Sequence, residues 1–180
     1  NNVMVYDNAV GLRLGTTASG GDIIINNGGF NNNKQGWFIA ATSTVASEFN
    51  NKKITGTQFN NNLIKGIYVE KISNAVFDGI EVINSGIDLT YANNAGIDIN
   101  LKYGNYSNIT IKNSVISGSG LSGSATNLLA PIAVTIKARD DGSYSAVPAT
   151  LSKVVIENCD ISGPVNALRF GEPVAIGVTL

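Results

Sequence analysis

Gly66-Ile67-Tyr68-Val69 and Gly96-Ile97-Asp98-Ile99, thirty residues apart, share one pattern: a small residue, an apolar one, any residue, and a second apolar one. The same phrase stands at Gly11-Leu12-Arg13-Leu14, Gly36-Trp37-Phe38-Ile39, Ala133-Val134-Thr135-Ile136 and Ala167-Leu168-Arg169-Phe170. Start-to-start spacings are 25, 30, 30, 37 and 34 residues. A fixed short strand with connections of variable length is the mark of a solenoid, in which each coil buries its apolar face only by stacking on its neighbours.

A second pattern runs out of phase with the first: apolar, polar, Asn or Gly, two further residues, apolar. Its copies begin at Ile25, Ile54, Phe77, Ile111 and Ile156 and end at Phe30, Phe59, Val82, Ile116 and Ile161. The alternation on both sides says strand, corner, strand. The corner column is Asn27, Gly56, Gly79, Asn113 and Asn158, residue types that tolerate a left-handed backbone. Apolar residues at helical spacing are not sustained anywhere over three turns. Three short strands per coil with an Asn corner resemble the pectin lyase-like superfamily of pectate lyases, polygalacturonases and tailspikes. The resemblance implies an all-β fold, a single-stranded right-handed parallel β-helix of about six coils with three parallel sheets. At ~4.8 Å per coil that is a rod roughly 25–30 Å long.

Residues 1–180 are expected to form one β-helix domain. The chain begins inside a coil, ends after starting another at Val174–Leu180, and carries no polar cap. It is therefore expected to be a segment of a larger protein, or to stack end-on against another subunit. A net charge of -1 without a basic cluster argues against nucleic acid as a partner. No apolar run reaches the ~20 residues of a membrane helix. Low charge with abundant Asn, Gly, Ser and Thr points to an extracellular or cell-surface bacterial protein. The single cysteine, Cys159, follows the corner in a column with Gly28, Thr57, Ile80 and Ser114, which gives it the place of a small filler.

Alternation turns Arg13, Phe38, Tyr68, Asp98, Thr135 and Arg169 to the outer face of the first sheet, followed two residues later by Glu70, Asn100 and Lys137. Lys71, Lys102, Tyr103, Arg139, Asp140, Asp141 and Glu172 continue off the strand ends, so that 11 of the 25 charges fall on this band. The longest connections, 83–95, 117–132 and 137–153, flank it. Mixed charges beside aromatic rings suit an anionic polysaccharide. Tyr68, Glu70, Asp98, Asn100, Lys102 and Arg139 are the candidate substrate-binding residues.

Polygalacturonases are similar to this chain at Asn93-Asn94-Ala95-Gly96-Ile97-Asp98, but Ala95 stands where their catalytic-type Asp falls, and there is no histidine at all. Their Arg-Ile-Lys motif is matched only by Arg169. Asp98 with Asp140 or Asp141 is the one pair of carboxylates for hydrolysis, and Asp140-Asp141-Gly142 reads more simply as a turn. A lyase fits better. The superfamily resemblance implies Lys or Arg as the base, here Lys137 and Arg169, and calcium on oxygen ligands, here Glu70, Asp98 and Asn100. The competing class is a non-enzymatic structural or adhesive rod of a surface protein, fibre or tailspike, for which charges on this face are cross-strand pairs.

Overall fold

The structure is a computed structural model that describes residues 2–18, 20–43, 49–121, 132–163, 166–173 and 178–179. It is an all-β chain whose strands pair in parallel. The described residues contain no α-helix, only a 3-10 turn at Gly142–Tyr144, and so no helix long and apolar enough to cross a membrane.

Sheet I collects the six copies of the first pattern in chain order: Val10–Leu14, Gln35–Ile39, Lys65–Val69, Ala95–Leu101, Ile132–Ala138 and Asn166–Pro173. Leu12, Trp37, Ile67, Ile97, Val134 and Leu168 are register partners across it. In the four copies that open on glycine, the small residue has a steric cause. A Cβ on Gly36 would lie 2.3 Å from the Gly66 carbonyl oxygen, and one on Gly11, Gly66 or Gly96 would lie 2.7 Å from the corresponding oxygen of the next strand.

Sheet II holds Ile23–Asn26, Lys52–Thr55, Ala75–Asp78, Ile109–Lys112, Val154–Glu157 and Val178–Thr179. Of the expected stretch Val174–Leu180, only Val178–Thr179 lies within the described residues, and it pairs with Val154 and Val155. A third set runs from Met4–Tyr6 and Gly29–Asn31 through bridges at Gln58 to Glu81–Ile83, Val115–Ser117 and Asp160–Ile161. Between sheet II and this set, Asn27, Gly56, Gly79, Asn113 and Asn158 all have φ between 50° and 63°. A second left-handed column, Asn32, Asn61, Asn84 and Gly118, turns the chain back toward sheet I.

The core lies between the sheets. Phe30 stacks on Phe59 at 5.5 Å, and Trp37, fully buried, meets both rings edge-on. Val82 and Ile116 continue this inward column, and Ile161 is partly buried at its end. Residues that follow the second corner form a buried polar ladder: the backbone N–H of Asn33 donates to Asn62 Oδ1, that of Asn62 to Ser85 Oγ, and that of Ser85 to Ser119 Oγ. Each satisfies a backbone donor that would otherwise be buried unpaired, at a cost of about 1–3 kcal/mol. After the first corner, Thr57, Ser114 and Cys159 each donate to the carbonyl two residues back. Cys159 thus has the filler's place expected of it.

Candidate functional site: the outer face of sheet I

The register brings the expected row together. Arg13 pairs with Phe38, Phe38 with Tyr68, Tyr68 with Asp98, Asp98 with Thr135, and Thr135 with Arg169. Asn100 pairs with Lys137, and Lys137 with Gly171. Beyond Lys137 the ladder bulges, Ala138 pairing with Pro173, which re-aims the strand beside the basic residues.

This face is not an ordinary solvated one. Asp98 is 3% exposed, Asn100 6%, Thr135 4% and Glu70 7%. A charge so placed is tolerated only when it is paired, and the pairs are present. Asp98 Oδ2 binds the ammonium of Lys65, and Asp98 Oδ1 lies 3.6 Å from Lys137 Nζ. Lys65 Nζ also sits 3.9 Å over the Tyr68 ring. The Tyr68 hydroxyl donates to Glu70 Oε1 at 2.8 Å and accepts from Asn100 Nδ2 at 3.1 Å. Burial, and then the adjacent Glu70 carboxylate, push the Tyr68 phenol far above its usual pKa. Glu70 accepts in addition from the Ala41 backbone N–H and from Lys102. Burial on its own would lower Lys102, but Glu70 and the Tyr144 hydroxyl more than offset it and hold the ammonium above its usual value.

At the strand ends the network opens. The Tyr144 ring receives Lys102 at 5.1 Å and Arg139 at 4.7 Å, and packs on Tyr103 at 5.3 Å. Arg139 Nη2 donates to Asp141 Oδ2 at 2.7 Å and keeps that carboxyl below its usual pKa. Arg169 lies one strand beyond Thr135, with its guanidinium folded beside Gly171. Lys102, Lys137, Arg139 and Arg169 are all half-buried, and form a rim to the buried centre. Much of the expected loop wall at 117–132 lies outside the described residues.

Two groups therefore assemble as expected: Tyr68, Glu70, Asn100 and Lys102 in one network, Asp98 and Lys137 in the other. Lys65 joins them, and alternation alone does not find it. Counted by twos from Ile67 and Val69, it faces the core. The alternation is interrupted at Gly66, where an added Cβ would lie 2.7 Å from the core side chain of Val82, while Lys65 before it reaches Asp98 on the outer face. The one available signal is a lysine in a column otherwise filled by Val10, Gln35, Ala95, Ile132 and Asn166.

The calcium site expected at Glu70, Asp98 and Asn100 does not fit this chemistry. Both carboxylates are already bound to ammonium groups, Asp98 to Lys65 and Lys137 and Glu70 to Lys102, and those charges repel a divalent cation placed between them.

Three buried oxygens of the face have no hydrogen-bond partner among the described residues: Asp98 Oδ1, Asn100 Oδ1 and Thr135 Oγ1. Unsatisfied buried polar atoms are rare in folded proteins, and three on two paired strands call for a reason. Comparisons of the chain with protein families, curated proteins and solved structures find no match.

Proposed function

We propose that the three sets of strands are the faces of a right-handed parallel β-helix of about six coils, and that the outer face of sheet I binds an anionic, uronate-containing polysaccharide outside the cell or on its surface. The stacking of successive copies of each pattern in chain order supports the first part. One observation carries the second: Asn100 Oδ1 and Thr135 Oγ1, buried without a hydrogen-bond partner among the described residues, and Asp98 Oδ1, which faces the Lys137 ammonium at 3.6 Å, lie beside a rim of Lys102, Lys137, Arg139 and Arg169. Uronate sugars suit both sets of groups. Their hydroxyls donate to buried acceptors, and their carboxylates pair with the half-buried cations of the rim. A ligand carboxylate that draws Lys137 toward solvent uncovers Asp98 Oδ1 for a sugar hydroxyl.

The arrangement favours recognition over cleavage. In a lyase, Lys137 would serve as the base and Arg169 as the countercharge. Lys137 instead stands 3.6 Å from a buried carboxylate, the position of a held cation. Affinity electrophoresis through gels containing polygalacturonate, alginate or a neutral glucan separates these readings. Retardation by a uronate polymer alone, lost in Lys137→Ala/Arg169→Ala, is the expected result. Absorbance from an unsaturated uronyl product would add the lyase step. Equal mobility in every gel leaves a structural or adhesive rod.

A further inference from the structure

Among the described residues, eleven non-glycine residues have a left-handed backbone, and ten of them are Asn or Asp. The eleventh is Tyr103, at φ 57°. An aromatic residue there is strained, because its Cβ crowds the following carbonyl, and Asn relieves that strain with local hydrogen bonds. Nine of the described positions of this kind are Asn, and the chain departs from it here. Strain of this kind persists where a side chain is needed for something other than stability.

What Tyr103 gains by its position is visible. It lies directly after Lys102, where the Ala95–Leu101 strand leaves the outer face. Its ring is half-buried and leans on Tyr144 at 59° and 5.3 Å. Tyr144 is carried by the Gly142–Tyr144 turn, next to exposed Gly142, Ser143 and Ser145. Lys102 and Arg139 sit against the Tyr144 ring. The other aromatic pair of the face, Phe38 stacked on Tyr68, is different: Lys65 covers the Tyr68 ring, Arg13 covers Phe38, and the Tyr68 hydroxyl is committed to Glu70.

We infer that Tyr103, buttressed by Tyr144, is a stacking platform for a sugar ring, a subsite that extends the cationic rim past the end of sheet I. The aromatic face meets the C–H surface of the ring, while Lys102 and Arg139 stand within reach of its carboxylate. This rests on the polysaccharide reading above. It also makes a claim that reading does not: Tyr103 is held at the expense of stability.

The test uses the full chain, oligogalacturonate as the probe, and the variants Tyr103→Asn and Tyr103→Phe. Tyr103→Asn is expected to melt no lower than the parent, and up to about 3 °C higher. It should bind the oligomer about tenfold more weakly, with an unchanged dependence on salt, because the lost contact is uncharged. Tyr103→Phe should bind as the parent does. A Tyr103→Asn protein that melts several degrees lower shows a merely structural ring, and one that binds as tightly as the parent shows an idle one. Either result overturns the subsite while the polysaccharide reading stands. A parent that binds no uronate oligomer overturns that reading, and the subsite with it.

Discussion

Replacing Asp98 by Leu should be among the most destabilising single changes in this protein, and replacing Lys65 as well should restore most of the loss. The side chains of Lys65 and Asp98 are 5% and 4% exposed. Removing Asp98 strands the Lys65 ammonium over the Tyr68 ring with no carboxylate beside it, and an uncompensated buried charge costs about 3–5 kcal/mol. Lys65→Met is milder, about 2 kcal/mol, because Lys137 remains 3.6 Å from Asp98 and the Met side chain replaces the lysine stem. In the double variant both buried charges are gone, and Lys137, 15% exposed, reaches water. Its net cost should be within about 1 kcal/mol of the parent, since apolar replacement of a buried pair is often neutral. Urea unfolding followed by far-ultraviolet circular dichroism gives the three differences at constant m-value. They should depart from additivity by at least about 3 kcal/mol. Additivity within about 0.5 kcal/mol would mean that the two side chains do not depend on each other, and the charged centre described for this face would be wrong.

Trp37→Ala should cost about 3–5 kcal/mol, toward the lower end because the indole N–H is buried without an acceptor and its removal relieves that penalty; a loss below about 1 kcal/mol in the same unfolding assay would contradict its place between Phe30 and Phe59. Gly36→Ala should cost about 3 kcal/mol through its clash with the Gly66 carbonyl, whereas Gly15→Ala, with nothing within 4 Å, should stay within about 0.5 kcal/mol. Equal effects of the two would contradict the close approach of neighbouring strands. Above pH 10 the unfolded chain loses the Tyr68 proton while the folded protein keeps it, so stability falls as pH rises. Between pH 9 and 11 the parent should lose about 1.4 kcal/mol more than Tyr68→Phe, and parallel pH profiles would place the phenol in water.

The strands and the first corner are legible because each rests on a local rule. Glycine fits where a Cβ would strike the next strand, as at Gly11, Gly36, Gly66 and Gly96, and Asn or Gly fills the first corner, where φ is positive. The outer row from Arg13 to Arg169 follows from period-two alternation alone. The second corner is written just as plainly, as Asn32-Asn33, Asn61-Asn62, Asn84-Ser85 and Gly118-Ser119, and it shares its leading apolar residue (Phe30, Phe59, Val82, Ile116) with the end of the first pattern, so that the two corners read as one motif. What alternation misses is depth. It assigns outward residues to solvent, whereas Asp98, Asn100 and Thr135 are buried. Burial of an outer face depends on packing that no local pattern encodes. Lys65 escapes for a related reason, since the period on which the count relies is interrupted at Gly66.

The account stands or falls on whether the rim holds a uronate. Isothermal titration of the full chain with oligogalacturonate, at low and at physiological salt, measures this directly. The account predicts saturable binding that weakens as salt rises, with most of the affinity lost in Lys137→Ala/Arg169→Ala while far-ultraviolet circular dichroism shows that the double variant is folded. Absence of binding at low salt, or equal affinity of parent and double variant, would contradict it.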